Sequence, residues 1–142
     1  MVITQALMDE LTAKAKESPR LRMNYDLRNS AEDKSQRMLN AIEPGSPLAI
    51  HRHRHSSETV VCLRGRLVEE YYQEIEGGAE DYNGPKAQKV QEIELSPNGP
   101  VVAVNIPAGQ WHTVKVLESG TVIMEVKDGA YEPLQEVDVL AC

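Results

Sequence analysis

The feature that most constrains the fold is a succession of nine short apolar runs, bounded by turn residues, that follows residue 20. The runs cover residues 21–27, 37–42, 48–53, 59–63, 67–73, 88–95, 101–106, 112–117 and 121–127. The chain contains no Phe, so its core must rest on Val, Ile, Leu and Met, and the β-branched residues among these favour strands. Many short strands with closely spaced turns predict an all-β sandwich or barrel.

A helical pattern occupies the N-terminal segment. Between residues 3 and 17, apolar side chains recur every four residues: Ile3, Leu7, Leu11 and Ala15. Thr4 can cap the first turn, and Pro19 ends the pattern because proline cannot continue a helix. We therefore predict one N-terminal α-helix, in a helical segment of residues 1–19 that packs on a single β-barrel domain of residues 20–142.

Charge and composition exclude two classes of partner. The net charge of −7 repels phosphate backbones and no large basic patch offsets it, so we expect no nucleic-acid binding. No window approaches the ~20 apolar residues of a membrane helix, so we expect no membrane partner. The N-terminus lacks the pattern of a secretion signal, which favours the cytoplasm. There we expect Cys62 and Cys142 to be free thiols.

The histidines form a pattern typical of a metal site. His51 and His53 are two residues apart, a spacing that places both imidazoles on one face of a strand. Glu58 begins the next apolar run, and a strand that returns beside the first would bring its carboxylate close to both. His112 follows a Pro-Ala-Gly turn that can direct a third imidazole inward. Three neutral imidazoles and one carboxylate suit one divalent ion (Zn, Fe, Mn, Ni or Co) and leave one or two positions open.

The same residues lie in a two-part pattern. The first part is matched at each fixed position by Gly45, His51, His53, Glu58 and Gly65. The core of the second part is matched by Pro107, Gly109 and His112, whereas its flanks carry Val101 and Val116 in place of Gly and Asn. This pattern resembles the two motifs of the cupin superfamily. The resemblance implies a cupin double-stranded β-helix, which is a jelly-roll barrel, with the metal held by the four residues named above.

A closer resemblance extends over most of the chain. It is carried by Glu58, Thr59 and residues 21–25, 36–40, 43–45, 51–53, 63–66, 106–109, 111–113 and 125–127. These segments resemble the WbuC family, small cupin-fold metalloproteins associated with bacterial surface-polysaccharide gene clusters. The chain departs from that family at Arg54 and Ser57, where Pro and Trp are usual. The resemblance implies a fold, a metal and a link to surface-polysaccharide metabolism.

Three functions are compatible with these features. The first is a metal-dependent enzyme acting on a small sugar or nucleotide-sugar by isomerisation, epimerisation or a related step, with Tyr25, Glu125 or Lys127 as the proton carrier. The second is a non-haem iron dioxygenase, and the third is a non-catalytic module that binds a small ligand or is stabilised by its metal. The net positive charge of a metal with this ligand set favours an anionic or carbonyl-bearing small molecule. We rank the enzyme first.

Two further features leave alternatives open. Residues 59–63 and 101–106 carry apolar side chains on both faces, so the outer face of the barrel needs a cover. The N-terminal helix or a second copy in a homodimer can supply it. Residues 74–86 are acidic and rich in Gly, which is typical of an exposed hairpin, and a role as a lid is open.

Overall fold

The computed structural model of the chain describes residues 1–75 and 86–140. The tip of the predicted hairpin and Cys142 therefore lie outside the described residues. The elements are α1 Gln5–Glu17, β1 Arg22–Asp26, β2 Ser35–Ile42, β3 Ile50–His51, β4 Glu58–Arg64, β5 Leu67–Ile75, β6 Lys86–Leu95, β7 Ala103–Ile106, β8 Trp111–Val116, β9 Thr121–Asp128, a 3₁₀ turn Glu136–Asp138 and β10 Val139–Leu140.

The described strands form two antiparallel five-stranded sheets. One sheet has the order β1-β2-β9-β4-β7 and the other has the order β10-β3-β8-β5-β6. The main core lies between them, because Val60, Cys62 and Ile123 of the first sheet pack with Leu67 and Leu95 of the second. The all-β prediction is therefore confirmed, and each of the nine predicted runs overlaps one strand.

The outer face of the first sheet is covered by α1. Side chains alternate along a strand, so Leu39, Ala41 and Val122 point away from the main core and pack against Leu11 and Ala15 of the helix. These residues form a second apolar cluster, which explains the apolar residues on the outer face of β2 and β9. In the predicted run 101–106, by contrast, Val102 stays 47% exposed. Among the described residues, no helix is long and apolar enough to cross a membrane.

The helix begins and ends near the predicted positions. The Thr4 Oγ1 accepts a hydrogen bond from the Leu7 N–H at 3.1 Å, which is the predicted N-cap. Arg64 on β4 ties the helix to the barrel, since its Nη1 lies 2.6 Å from the Asp9 carboxylate and its Nη2 donates to Thr12 at 3.0 Å. The boundary at residue 19 and the homodimer stay predictions.

A glycine turn carries the chain from one sheet to the other. Gly65 joins β4 to β5 with φ at +84°, a conformation that other residues rarely adopt. A Cβ at this position would lie 2.7 Å from the Thr121 Cα, so there is no room for a side chain. The turn places β4 and β5 in facing sheets, with the core between them.

Candidate metal centre

The four predicted ligand residues come together inside the barrel. His51, His53, Glu58 and His112 each offer one ligand atom, and these atoms lie within 4.8 Å of one another. The Glu58 Oε2 is 3.4 Å from the His53 Nε2 and 3.3 Å from the His112 Nε2. The centroids of the His51 and His112 rings are 4.4 Å apart. Every member of the cluster was thus predicted, from the spacing and the cupin-like pattern together.

The route by which Glu58 reaches the cluster differs from the prediction. β4 does not return beside β3; the two strands lie in different sheets. The neighbour of β3 is β8, in which His51 is paired directly with His112. Because residues 54–57 cross from one sheet to the other, the Glu58 carboxylate faces the imidazoles from across the barrel.

His53 is also placed differently from the prediction. β3 ends at His51, so the two histidines do not share a regular strand. The backbone holds His53 instead, because its carbonyl accepts a hydrogen bond from the Gly109 N–H at 2.8 Å. The Pro-Ala-Gly turn therefore supports His53 as well as leading into His112.

Backbone carbonyls fix the hydrogen positions on two of the imidazoles. The His51 Nδ1 lies 3.0 Å from the Ala49 carbonyl oxygen, and the His112 Nδ1 lies 2.8 Å from the Gln110 carbonyl oxygen. A carbonyl can only accept, so each Nδ1 carries a hydrogen, and a ring in its neutral form then presents a bare Nε2. In metal sites, histidine ligands are oriented in this way: the ring nitrogen that does not bind the metal donates a hydrogen bond to a neighbouring acceptor.

The charge states suit metal ligation. Burial lowers the pKa of His51 to about 4, with a further contribution from His112, so the ring is neutral at neutral pH. Burial opposes ionisation of Glu58, but contacts with His112 and His53 keep the pKa of this carboxyl well below its ordinary value. The Glu58 Oε2 is buried without a hydrogen-bond partner. Bare imidazole nitrogens and an orphaned carboxylate oxygen that converge on one point fit a divalent cation.

The cluster opens into a cleft of about 360 Å³. Part of the cleft wall is formed by side chains on the inward face of the first sheet. They come from β1, β2 and β9: Arg22, Asn24, Gln36, Met38, Glu125 and Lys127. In the strand register Lys127 stands opposite Glu58, and Glu125 stands opposite Val60. The cleft therefore brings polar and charged groups close to the four candidate ligands.

The fold places two of the three predicted proton carriers at the cleft and the third on the opposite face of the sheet. Glu125 and Lys127 line the cleft, and burial, followed by the charge of Glu58, raises the pKa of Glu125 to about 8. Tyr25 is paired with Leu39, on the outer face towards the helix, and is not among the residues of the cleft wall. The structure thus brings two of the three candidates together with the cluster.

The C-terminal segment is a part of the site that sequence analysis missed. Residues 128–135 line the cleft, and β10 pairs with β3 so that Val139 stands opposite His51. The Asp138 carboxylate is buried and its Oδ1 lies 3.2 Å from the Arg52 Nε and 2.8 Å from the Arg54 Nε. One sequence signal pointed to such a partner: Arg52 and Arg54 flank His53. Two cations next to a half-buried histidine need an acidic side chain nearby, and Asp138 is that side chain.

A second buried carboxyl was also missed. Glu69 on β5 is fully buried, and both of its oxygens lack a hydrogen-bond partner. Burial, with smaller contributions from Glu58, Glu125 and Glu70, raises the pKa of this carboxyl to about 9. Glu69 is therefore a neutral acid at neutral pH.

Solved structures show the same fold. KdgF from Halomonas sp. has 14% identity and a TM-score of 0.55, with 80% of this chain and 84% of that chain covered. The protein TT1209 from Thermus thermophilus has 19% identity and a TM-score of 0.56, with coverage of 80% and 89%. The capsular polysaccharide assembling protein CapF from Staphylococcus aureus has 18% identity and a TM-score of 0.56. The match covers 87% of this chain and 32% of CapF.

KdgF and CapF have the cupin fold, so the predicted cupin jelly roll is confirmed. At such identities the likeness shows the fold alone. No curated protein matches the sequence. A family model described as a domain of unknown function, DUF6016, matches residues 3–80, which is more than half of the 142 residues. The chain therefore belongs to the DUF6016 family and has the cupin fold.

Proposed function

We propose that the protein binds one divalent metal ion through His51, His53, Glu58 and His112 and is a metal-dependent enzyme for a small sugar or nucleotide-sugar. One observation carries the metal: the four ligand atoms converge within 4.8 Å, and the Glu58 oxygen among them is buried without a hydrogen-bond partner. A cation is the partner that satisfies all of these lone pairs at once. Zn, Fe, Mn, Ni and Co all suit this ligand set.

The cleft supports the proposal of catalysis. A bound divalent ion would supply Lewis-acid polarisation of a carbonyl or hydroxyl oxygen. Glu125 and Lys127 line the same cleft, so they can accept and return the proton that an isomerisation or epimerisation moves. The cluster is reached through a cleft large enough for a small molecule, whereas a purely structural ion needs no such access.

The proposal of a sugar-type substrate rests on resemblance. The WbuC resemblance links the chain to surface-polysaccharide metabolism, and CapF is described as a capsular polysaccharide assembling protein. Because this chain covers about a third of CapF, the activity of that protein is not transferred as a whole. The WbuC family, the link to polysaccharides and the cytoplasmic location stay predictions.

Proton exchange tests the proposed class of reaction. Untagged protein loaded with each of the five metals is incubated in D₂O with a panel of free and nucleotide-linked hexoses, and NMR follows the loss of C–H signals. We expect metal-dependent exchange for at least one sugar. Glu125→Gln and Lys127→Gln should each slow it by about a hundredfold, because each removes a proton carrier. Lys115→Gln, an exposed change on β8, is the matched control and should leave exchange unchanged.

The alternative functions give different results in the same samples. Absence of exchange with metal bound would contradict the isomerase-type proposal. Oxygen uptake by the iron-loaded protein would then indicate a dioxygenase. A change in melting temperature on metal removal, with neither exchange nor oxygen uptake, would indicate a structural or ligand-binding module.

A further inference from the structure

One part of the cleft wall is apolar and aromatic. Residues 129–135, which run from the end of β9 towards β10, are exposed and line the cleft, and they include Tyr131, Pro133 and Leu134. The Tyr131 side chain is 57% exposed. The inward face of the first sheet contributes mostly polar and charged side chains instead. A ligand in the cleft therefore meets hydrogen-bonding groups on one part of the wall and an aromatic ring on another.

The segment that carries this ring is held at both ends. At its start, the Gln36 Nε2 donates a hydrogen bond to the Gly129 carbonyl oxygen at 3.0 Å. Beyond its end, the Asp138 carboxylate forms ion pairs with Arg52 and Arg54. Because both ends are tied to the barrel, residues 129–135 keep their position at the cleft.

The Tyr131 ring is supported from outside the cleft. The Cζ of Arg28 lies 5.7 Å from the centroid of the ring, within the range of a cation–π contact. Asp26 fixes Arg28 in turn, since its Oδ1 lies 3.1 Å from the Arg28 Nε and its Oδ2 lies 2.8 Å from the Nη2. Neither Arg28 nor Asp26 is among the described residues that line the cleft. The ring is thus oriented by groups behind it and is itself available to a ligand.

The strand register relates Tyr131 to the metal centre. Gln36, which holds Gly129, stands opposite Lys127, and Lys127 stands opposite Glu58. Gln36 and Glu58 are therefore two strand spacings apart, roughly 10 Å. Tyr131 follows Gly129 by two residues, which span at most about 7 Å. Tyr131 thus lies on the Gln36 side of the cleft, where it can contact a part of the ligand other than the reacting atoms.

Charge does not select the ligand of this cleft. Four basic and five acidic side chains line it in the described part of the chain, so the two signs nearly balance. Recognition must then come from hydrogen bonds and ring contacts. A pyranose offers hydroxyl groups at its edge, which suit amides such as Asn24 and Gln36, and C–H groups on its faces. Such C–H groups pack well on an aromatic face, which carries partial negative charge.

We infer that Tyr131 binds a pyranose ring of the ligand by stacking on its C–H face, while the polar side chains of the wall bind its hydroxyl groups. This rests on the proposed function, because it states how the proposed sugar substrate is held. Tyr131 is then a residue that determines specificity and takes no part in the proton transfer. Its aromatic ring is required and its hydroxyl group is not.

Fluorine NMR tests this inference. The protein is labelled with fluorotyrosine and loaded with Zn(II), and among the signals of its five tyrosines that of Tyr131 is the one that Tyr131→Phe lacks. Methyl pyranosides of the common hexoses, which have no free carbonyl and bind without reacting, are titrated to millimolar concentration, and uridine serves as the probe for a nucleobase. We expect at least one pyranoside to shift the Tyr131 signal.

Two variants separate the ring from its hydroxyl group. Saturation-transfer NMR of the bound pyranoside gives the affinity of each protein. Tyr131→Ala should weaken binding by about tenfold, because it removes the stacking surface. Tyr131→Phe keeps the ring and should bind within about twofold of the parent. Tyr25→Ala is the matched control: it removes an exposed tyrosine from the outer face of the sheet, and it should bind as the parent does.

The outcomes distinguish this inference from the proposed function. Zinc content is measured for every variant, and a variant that keeps its zinc has kept its fold and site. A parent that binds no zinc, or that binds neither a pyranoside nor uridine, would overturn the proposed function and this inference with it. A pyranoside that binds without shifting the Tyr131 signal, equal affinities of the parent and Tyr131→Ala, or a shift caused by uridine and by no pyranoside would overturn the inference alone.

Discussion

Side-chain chemistry at single residues determines what the centre can bind. The four residues of the candidate metal centre were predictable, because the spacing of His51, His53 and Glu58 and the turn before His112 carry a pattern along the chain. The hydrogen positions were not, since they depend on carbonyls that only the folded backbone brings within 2.8–3.0 Å of each Nδ1. The burial of Glu69 was hidden for a similar reason: an acidic residue in a strand gives no sequence signal that it points inward.

Glu69 should make the protein less stable as pH rises. Its pKa is about 9 in the folded state against an ordinary 4.5, so between these values the unfolded chain releases a proton that the folded chain keeps. The free energy of unfolding therefore falls with pH in this window, by up to about 1.4 kcal/mol per pH unit. Glu69→Gln should remove this share of the slope, leaving the share that comes from the raised pKa of Glu125. The variant should be more stable than the parent at about pH 8, as measured by urea denaturation.

The matched control is Glu32→Gln, which changes an exposed carboxyl between β1 and β2 and should leave the slope as it is in the parent. Parallel stability curves for the parent and Glu69→Gln across the window would show that Glu69 ionises normally in the folded protein.

At the scale of elements, local patterns predicted the strands but not their partners. Residues 121–127 were predicted as a strand and β9 is Thr121–Asp128. The pairing of β3 with β8, and the placement of β4 in the opposite sheet, depend on crossovers that no local pattern encodes. β10 was missed because two residues, Val139–Leu140, are too short to show alternation.

Asp138 should act on the metal site through the C-terminal segment. Asp138→Asn keeps the shape of the side chain but removes the charge that holds Arg52 and Arg54, so β10 should loosen against β3 and His51. We expect metal affinity, measured by competition with a chelator, to fall by about tenfold, together with a loss of about 1–3 kcal/mol in the free energy of unfolding.

Asp9→Asn is the matched control for this change. It breaks another Asp–Arg pair, in which the carboxylate of Asp9 on the helix lies 2.6 Å from the Arg64 Nη1. Because that pair lies on the outer face, its loss should leave metal affinity unchanged. Equal metal affinities for the parent and Asp138→Asn would rule out a positioning role for the C-terminal segment.

At the scale of the whole molecule, the proposed metal joins the two sheets. His51 and His112 belong to one sheet and Glu58 to the other, so an ion held by all three crosslinks the barrel. Removal of the ion with a chelator should lower the melting temperature by about 5 to 10 °C, because binding to the folded state alone stabilises it. The Glu58→Ala, His112→Ala double variant should show no such shift, and an equal shift in both proteins would place the stabilising ion elsewhere.

The most direct test of the central claim is the metal content of untagged protein, compared with that of the Glu58→Ala, His112→Ala variant, by elemental mass spectrometry. Both proteins are first shown to be folded by circular dichroism. The account predicts one equivalent of a divalent metal in the parent and none in the variant. A parent without metal even after reconstitution, or a variant that retains the full equivalent, would contradict it.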